Sequence, residues 1–119
     1  MNTVFKIVLA DDHRVVRNGI RYILENEPKL KIVGEADDGD EAYELVKKMI
    51  PDVLVTDINM PGMNGIELTD KIVKNQIPTH VLILSMYNDE AYILRSIEAG
   101  VMGYLPKDAD YEEIILAIK

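Results

Sequence analysis

The sequence predicts an α/β fold, an open doubly wound parallel sheet with helices on both faces. Two observations lead to it. Short β-branched and largely apolar runs recur along the whole chain, and the stretches between them carry apolar residues three or four positions apart, as the buried face of a helix requires. Five strand–helix units in 119 residues leave about 24 residues for each unit, which suits the right-handed crossovers of a parallel sheet.

Each predicted element is an apolar pattern bounded by turn residues. The strands are the runs at 4–10, 31–35, 53–56, 81–84 and 101–105. Three of these runs are nearly all apolar, which is typical of central parallel strands covered on both faces. A helical pattern follows each strand, and the last of these patterns begins near Asp110. Prolines and glycines separate the units, at Pro28, Gly39, Pro51, Pro61, Gly62, Gly65, Pro78 and Gly100.

Composition and charge narrow the function classes. With 48% hydrophobic and 29% charged residues, the chain has the composition of one globular domain. It contains no cysteine, so disulfides and thiolate metal sites are excluded, and no apolar run approaches the ~20 residues needed to cross a bilayer. A formal net charge of −8 argues against direct binding of nucleic acid, which depends on neutralising phosphates. We therefore expect a cytoplasmic domain without a membrane partner.

Polar side chains stand at the carboxyl ends of four predicted strands, where open parallel sheets bind their ligands. Asp11 and Asp12 follow the first strand, Asp57 the third, Ser85 the fourth and Lys107 the fifth. If the first and third strands are neighbours, three carboxylates meet at one edge, where they repel one another unless they take up protons or a cation. Oxygen ligands of this kind favour Mg²⁺ or Mn²⁺. Such a cation beside a carboxylate, a hydroxyl and an ammonium group suits phosphoryl transfer.

Each of these residues also has a plain structural explanation. Asp11 or Asp12 is a suitable cap for the first helix, Ser85 suits a turn, and a single lysine such as Lys107 is usually solvated. Asp57 is harder to explain in this way, because it follows a fully apolar strand and precedes a Pro–Gly turn. Complementary chemistry at four of five strand ends favours the functional interpretation.

Two other polar features receive no functional role. His13 lies beside the acidic pair, but we expect a histidine in the first turn of a helix to be solvated. Asp37, Asp38 and Asp40 form an acidic loop, which we interpret as a solvated turn with caps for the next helix.

On these residues the chain resembles the receiver domains of bacterial response regulators. The matching motifs are in the same order along essentially all 119 residues: Asp11-Asp12, Asp57-Ile58-Asn59-Met60-Pro61 with Gly65, Ser85, and Tyr104 with Lys107. The stretches at 10–13, 33–36 and 99–104 are most similar to the NarL/FixJ subgroup, whose output domain is a LuxR-type DNA-binding helix-turn-helix. The resemblance implies a flavodoxin-like (CheY-like) (βα)5 fold. It also implies that residues 1–119 are one receiver domain of a longer protein, with the C-terminal DNA-binding domain outside this chain.

The resemblance assigns the acidic residues to phosphoryl chemistry. Asp57 would accept a phosphoryl group from a sensor histidine kinase, so that the chain acts as a switch rather than as an enzyme. Asp12, Asp57 and the backbone carbonyl of Asn59 would hold Mg²⁺, with Mn²⁺ as an alternative, and Asp11 would orient water from behind these ligands. Lys107 would pair first with Asp57 and then with a phosphoryl oxygen.

The resemblance also assigns a switch. Ser85 would donate its hydroxyl to the phosphoryl group, and Tyr104 would turn inward as that loop moves. Asn59 and Tyr87 would tune the lifetime of the acyl phosphate, and we expect the bulk of Tyr87 to shield phosphorus from water. Phosphorylation would favour a homodimer. Pro106 departs from the subgroup, which more often has leucine there, and it removes one backbone donor before the lysine.

Three other functions remain open at this point. A phosphatase or phosphotransferase that uses Asp57 would need a second aspartate two residues later, where the chain has Asn59. A flavin- or nucleotide-binding domain would need a glycine-rich or Ser/Thr-rich phosphate loop after the first strand, where Asp11 and Asp12 repel phosphate. A dimerisation module independent of phosphorylation would not need an intact set of Asp12, Asp57 and Lys107.

Overall fold

The computed structural model describes residues 4–86 and 90–118, in which strands and helices alternate as predicted. The strands are β1 (Phe5–Ala10), β2 (Leu30–Ala36), β3 (Val53–Thr56), β4 (His80–Ser85) and β5 (Gly103–Pro106). The helices are α1 (Arg14–Glu25), α2 (Gly39–Met49), α3 (Gly65–Lys74), α4 (Glu90–Ala99) and α5 (Tyr111–Ile118). No helix in these two segments combines the length and apolar character needed to cross a membrane.

The strands form one parallel sheet in the order β2-β1-β3-β4-β5. This order confirms the predicted open, doubly wound sheet. It also makes β1 and β3 neighbours, with Ala10 in register with Thr56 at their carboxyl ends. The strand order reverses between these two strands, which is where ligand sites of such sheets lie. The residues that follow β1 and β3 are therefore brought side by side.

The core lies on both faces of the sheet. One cluster joins the sheet to α2 and α3 through residues such as Val46 and Ile72. The other joins it to α1 and α5 through residues such as Leu24 and Ile114. Burial of each such side chain stabilises the fold by about 1.5–3 kcal/mol. Helices on both faces leave the ends of the strands as the accessible part of the sheet.

The fifth strand begins two residues later than predicted, because the end of α4 takes those residues. Gly100 has a φ of +105°, and its N–H bonds to the carbonyl of Ser96. The N–H of Val101 bonds to the same carbonyl, which is the pattern of a helix end closed by a left-handed glycine. Val101 therefore belongs to this turn, and β5 begins at Gly103.

Candidate functional site

The acidic residues after β1 and β3 and the lysine after β5 are fixed through their main chains. The N–H of Asp11 donates to the carbonyl of Ala36 (3.1 Å), and that of Asp57 donates to the carbonyl of Ala10 (3.0 Å). The N–H of Lys107 donates to the carbonyl of Ser85 (3.0 Å). Each bond continues the hydrogen bonding of a strand pair by one residue beyond the strand. The side chains are thus presented at one edge from a rigid base.

These three side chains form a buried ion cluster. The Nζ of Lys107 lies 2.9 Å from Oδ2 of Asp11 and 3.0 Å from Oδ2 of Asp57. Each of the three is only 5–6% exposed, so their charges are weakly screened by solvent. Lys107 is therefore not a solvated lysine. Because one ammonium stands between two carboxylates, the cluster retains surplus negative charge.

The surplus charge and the burial shift the pKa values of this cluster. Burial raises the pKa of Asp57, and the charge of Asp11 adds to this effect, although Lys107 opposes it. For Lys107, burial alone lowers the pKa, but the hydrogen bonds and charges of Asp11 and Asp57 together outweigh burial, so its pKa is raised. Both shifts favour protonation. A cluster that holds protons in this way is also one that attracts cations.

Two more side chains complete a candidate cation site. Asp11, Asp12, His13 and Asp57 each offer one ligand atom, and these atoms lie within 4.8 Å of one another. Asp12 is exposed at the rim, and Nδ1 of His13 is 3.3 Å from an oxygen of each of its two neighbours, Asp11 and Asp12. Three carboxylates are donors that Mg²⁺ and Mn²⁺ accept. His13 is 64% exposed, as expected, and although it was given no role, its imidazole lies among these possible ligand atoms.

Asp11 orders the loop after β1 but does not cap α1. The N-cap of α1 is His13, which makes no side-chain capping bond. Asp11 instead accepts, through Oδ1, the N–H of His13 at 2.8 Å. The alternative that Asp11 caps the first helix is therefore wrong, and its second oxygen is used by Lys107. In the second acidic loop, by contrast, Asp38 does cap α2 by accepting the N–H of Glu41.

The loop after β3 holds Asp57 tightly. Its Oδ1 accepts the N–H of Ile58 at 2.8 Å, and the carbonyl of Ile58 accepts the N–H of Gly65 at 2.8 Å. A Cβ at Gly65 would lie 2.3 Å from the carbonyl oxygen of Asp57, so only glycine fits there. Asn64 caps α3 with a reciprocal capping box. Asn59 is exposed within this loop.

The predicted switch residues lie on β4 and β5. Ser85 is fully buried at the end of β4, and it lines a depression with Pro106 and Lys107. Pro106 is the register partner of Ser85, and its missing N–H leaves the main-chain anchor of Lys107 intact. Tyr104 is half-buried and packs against the α2–α3 side of the core. Tyr87, predicted to tune lifetime, lies outside the described residues.

Sequence patterns alone do not reveal the role of Arg17. Its side chain is only 13% exposed, and its Nη1 donates to the carbonyls of Asp11 and Ala36, both at 3.0 Å. In the sequence it reads as one more charged residue of an amphipathic helix. The available signal was a positive charge little more than one helical turn after the acidic pair.

Known proteins share this fold and these motifs. The family model for the response regulator receiver domain matches residues 7–119. The chain is 41% identical to the transcriptional regulatory protein DegU of Brevibacillus brevis over 96% of its length and 48% of that protein. It is 44% identical to the oxygen regulatory protein NreC of Staphylococcus haemolyticus, again over 96% of its length and 53% of the relative. The chain thus spans about half the length of these curated relatives.

A solved structure gives the same result. The signal receiver domain of the response regulator NarL from Mycobacterium tuberculosis superimposes with a TM-score of 0.95 at 35% identity, covering 98% of this chain and 94% of that one. The resemblance seen in the motifs is therefore confirmed, as is its NarL/FixJ character. The chain belongs to the response regulator receiver domain family, in its NarL-type subgroup.

Proposed function

We propose that this chain is a phosphorylation-controlled switch in which Asp57 accepts a phosphoryl group from a sensor histidine kinase. One observation supports the proposal more strongly than any other. The carboxylate of Asp57 is buried at the end of β3, held by the N–H of Ile58 and the Nζ of Lys107, and adjoins two further carboxylates. This combination supports a nucleophilic role for Asp57, because its carboxylate is held in one orientation at a point that attracts positive charge, as transfer of an anionic group requires.

The transfer is a displacement at phosphorus. An oxygen of Asp57 forms a bond to phosphorus as the phosphorus–nitrogen bond of the donor phosphohistidine breaks, and the electron pair leaves with the imidazole nitrogen. Lys107 then exchanges its bond to Asp57 for one to a phosphoryl oxygen. Its other partner, Asp11, keeps the ammonium in place during this exchange, because that contact of 2.9 Å does not involve the acceptor.

A divalent cation belongs in this proposal. Asp12, Asp57 and the backbone carbonyl of Asn59 would hold Mg²⁺ or Mn²⁺, with Asp11 behind them. Bound there, the cation supplies positive charge to the phosphoryl oxygens. The donor set supports this, because it is rich in oxygen and carries more negative charge than Lys107 neutralises.

The switch would run through β4 and β5. Ser85, buried at the end of β4, would donate its hydroxyl to the new phosphoryl group, and half-buried Tyr104 would move further inward. Asn59 and Tyr87 would set how long the acyl phosphate lasts. We further propose that phosphorylation favours a homodimer, and that an output domain outside this chain binds DNA, as the net charge of −8 leaves the receiver itself poorly suited to that task.

A phosphatase or phosphotransferase that acts on other molecules has less support. A phosphatase that uses an aspartyl nucleophile would need an acid two residues after Asp57, and that position is Asn59, an exposed amide. The family is that of a regulatory domain. The proposal is therefore a switch that takes part in its own phosphorylation.

Intact-mass measurement after incubation with acetyl phosphate and Mg²⁺ tests the proposal. The wild-type chain should gain the mass of one phosphoryl group, and the gain should disappear with EDTA. Asp57→Asn should gain nothing. Asp52→Asn is the matched control, because Asp52 is the exposed aspartate at the other end of the same strand, and it should behave as the wild type. No gain in the wild type, or equal gain in Asp57→Asn, would contradict the proposal.

A further inference from the structure

We propose that Arg17 is a positioning residue that sets the affinity of the acidic site for its divalent cation. It does so by tying the loop after β1, which carries Asp11 and Asp12, to the loop after β2. This inference rests on the proposed function, since it concerns the same cation site. Among the described residues, the ion pairs of Arg17 involve neither the carboxylate of Asp57 nor Lys107.

The guanidinium group joins two strand ends. Its Nη1 donates to the carbonyls of Asp11 and Ala36, both at 3.0 Å, and to the carboxylate of Asp37. Asp11 is the first residue after β1, Ala36 is the last residue of β2, and Asp37 is the first residue after β2. Two N–H bonds are therefore shared among three acceptors. One nitrogen atom thereby fixes the main chain of the acidic loop against its neighbour.

The orientation of the guanidinium group favours the contacts of Nη1 over the ion pair between Nε and Glu35. The Nε of Arg17 is buried and lies 3.2 Å from Oε1 of Glu35, but it is not aligned for a hydrogen bond. A freely chosen ion pair with Glu35 would satisfy Nε. The side chain instead leaves Nε unsatisfied while Nη1 reaches both carbonyls and the carboxylate of Asp37, so the contacts of Nη1 determine its position.

Arg17 also lies under the site. Together with Asp11, Thr56 and Asp57 it lines one small cavity below the acidic cluster. Its side chain is 13% exposed, so both its charge and its contacts act in a weakly screened environment. A change at Arg17 is therefore transmitted to the ligand loop directly.

Charge and positioning make opposite predictions here. A buried positive charge near the carboxylates repels a second cation, so its removal would tighten Mg²⁺ binding if charge were all that mattered. A tether that holds the ligand loop in place strengthens binding, so its removal would weaken it. We infer that the tether outweighs the repulsion. The sign of the change in affinity decides between the two.

Two variants and one control separate these effects. Arg17→Gln removes both the charge and the guanidinium fork, while Arg17→Lys keeps the charge on a side chain that ends one atom short of Nη1 and lacks the planar fork. Arg21→Gln is the control, because Arg21 lies one turn further along α1 and pairs with Glu35 at 3.1 Å, but is 40% exposed. Its loss removes the same charge without untying the loop.

Calorimetric titration with Mg²⁺ is the first measurement, in about 0.5 M KCl to screen distant charges. Both Arg17 variants should bind Mg²⁺ about tenfold more weakly than the wild type, and Arg21→Gln should be unchanged. Amide exchange of the metal-free protein should accelerate at Asp11 and His13. The phosphorylation rate at saturating Mg²⁺ should fall by a smaller factor than the Mg²⁺ affinity, because the main-chain hydrogen bonds that hold Asp57 and Lys107 do not involve Arg17.

Several results would overturn the inference. Tighter or unchanged Mg²⁺ binding in Arg17→Gln, or wild-type binding in Arg17→Lys, would show that the tether has no effect. An equal loss of Mg²⁺ affinity in Arg21→Gln would show that any positive charge on α1 has this effect. Loss of folding in both Arg17 variants would show that Arg17 acts on stability rather than on the cation site. If the wild type itself bound no Mg²⁺ and took up no phosphoryl group, the proposed function would fail together with the inference. Failure in the variants alone overturns only the inference.

Discussion

The two ends of β3 carry the same residue type in opposite circumstances. Asp52, just before the strand, is exposed and accepts the backbone N–H of Lys6 at 2.8 Å. Asp57, just after it, is 4% exposed and paired with Lys107. The amino end is tied by main-chain bonds, among them that of His80 to the carbonyl of Asp52. The carboxyl end gathers side chains that follow three strands, and there the charges of Asp11, Asp57 and Lys107 converge in a buried place.

The largest effect on stability should come from removing the ammonium at the carboxyl end. Lys107→Ala leaves Asp11 and Asp57 buried without their shared partner, so the free energy of unfolding should fall by about 3 kcal/mol in metal-free urea denaturation. Added Mg²⁺ should restore part of the loss. Lys6→Ala is the control at the amino end, where the carboxylate of Asp52 accepts the backbone N–H of that exposed residue, a bond that the substitution leaves in place. A loss of equal size in Lys6→Ala would remove the contrast between the two ends.

A second substitution tests the tight loop after β3. Gly65→Ala places a Cβ 2.3 Å from the carbonyl oxygen of Asp57, so the free energy of unfolding should fall by about 2 kcal/mol and phosphoryl uptake should slow. Gly19→Ala in α1 is its matched control, because a Cβ there meets nothing within 4 Å. That change should stabilise the helix by about 0.5–1 kcal/mol in the same thermal or urea unfolding measurement. Equal tolerance of both changes would contradict the geometry of the loop.

A third prediction concerns the charge of Asp57. Because burial raises its pKa, the folded protein binds this proton more tightly than the unfolded chain. The charged form therefore weakens the metal-free fold above the ordinary pKa of 3.8. Asp57→Asn should therefore raise the free energy of unfolding at pH 7, and this advantage over the wild type should fade as the pH falls toward that value.

Mg²⁺ should reverse this order, because it stabilises only a chain with the Asp57 carboxylate intact. Asp52→Asn, measured in parallel, is the control at the exposed end of the same strand. An advantage for Asp57→Asn that grew as the pH fell would have the wrong sign for a raised pKa and would refute the assignment.

The smallest predicted effect lies at the amino end. Ile50 ends α2 with a φ of 43° and a ψ of 63°, a left-handed conformation that is unfavourable for a β-branched residue, and it is exposed. Ile50→Asn should therefore raise the free energy of unfolding by about 0.5–1 kcal/mol in urea denaturation. Phosphoryl uptake should not change, since this end of the sheet is remote from the chemistry. Slower uptake would show that the two ends are coupled.

The sequence predicted those features that depend on local pattern and on the edge of the sheet. Asp57 stood out because it follows an apolar strand and precedes a Pro–Gly turn, and the adjacency of β1 and β3 then brought Asp11 beside it. Whether Lys107 is buried or solvated depends on contacts 50 and more residues away along the chain, which no local pattern carries. The late start of β5 follows from the way α4 ends at Gly100, a competition between a helix end and a strand for the same residues.

Arg17 shows the same limit more sharply. Helical periodicity assigns each residue to a polar or an apolar face, but it does not say which polar residue folds back to bond the main chain of another loop. Arg17 and Arg21 both lie on α1 and both pair with Glu35. In the described part of the chain, however, it is Arg17 that donates hydrogen bonds to the carbonyls of Asp11 and Ala36. That distinction arises from three-dimensional packing.

Chemical trapping of the acyl phosphate tests directly whether Asp57 is the phosphoryl acceptor. After reaction with acetyl phosphate and Mg²⁺, borohydride converts a phosphorylated aspartate to homoserine, which peptide mass spectrometry locates. The account predicts conversion at Asp57 alone, with Asp11, Asp12 and Asp52 unchanged. Conversion at Asp11 or Asp12, or at Asp52 to the same extent as at Asp57, would contradict the assignment of the phosphoryl acceptor.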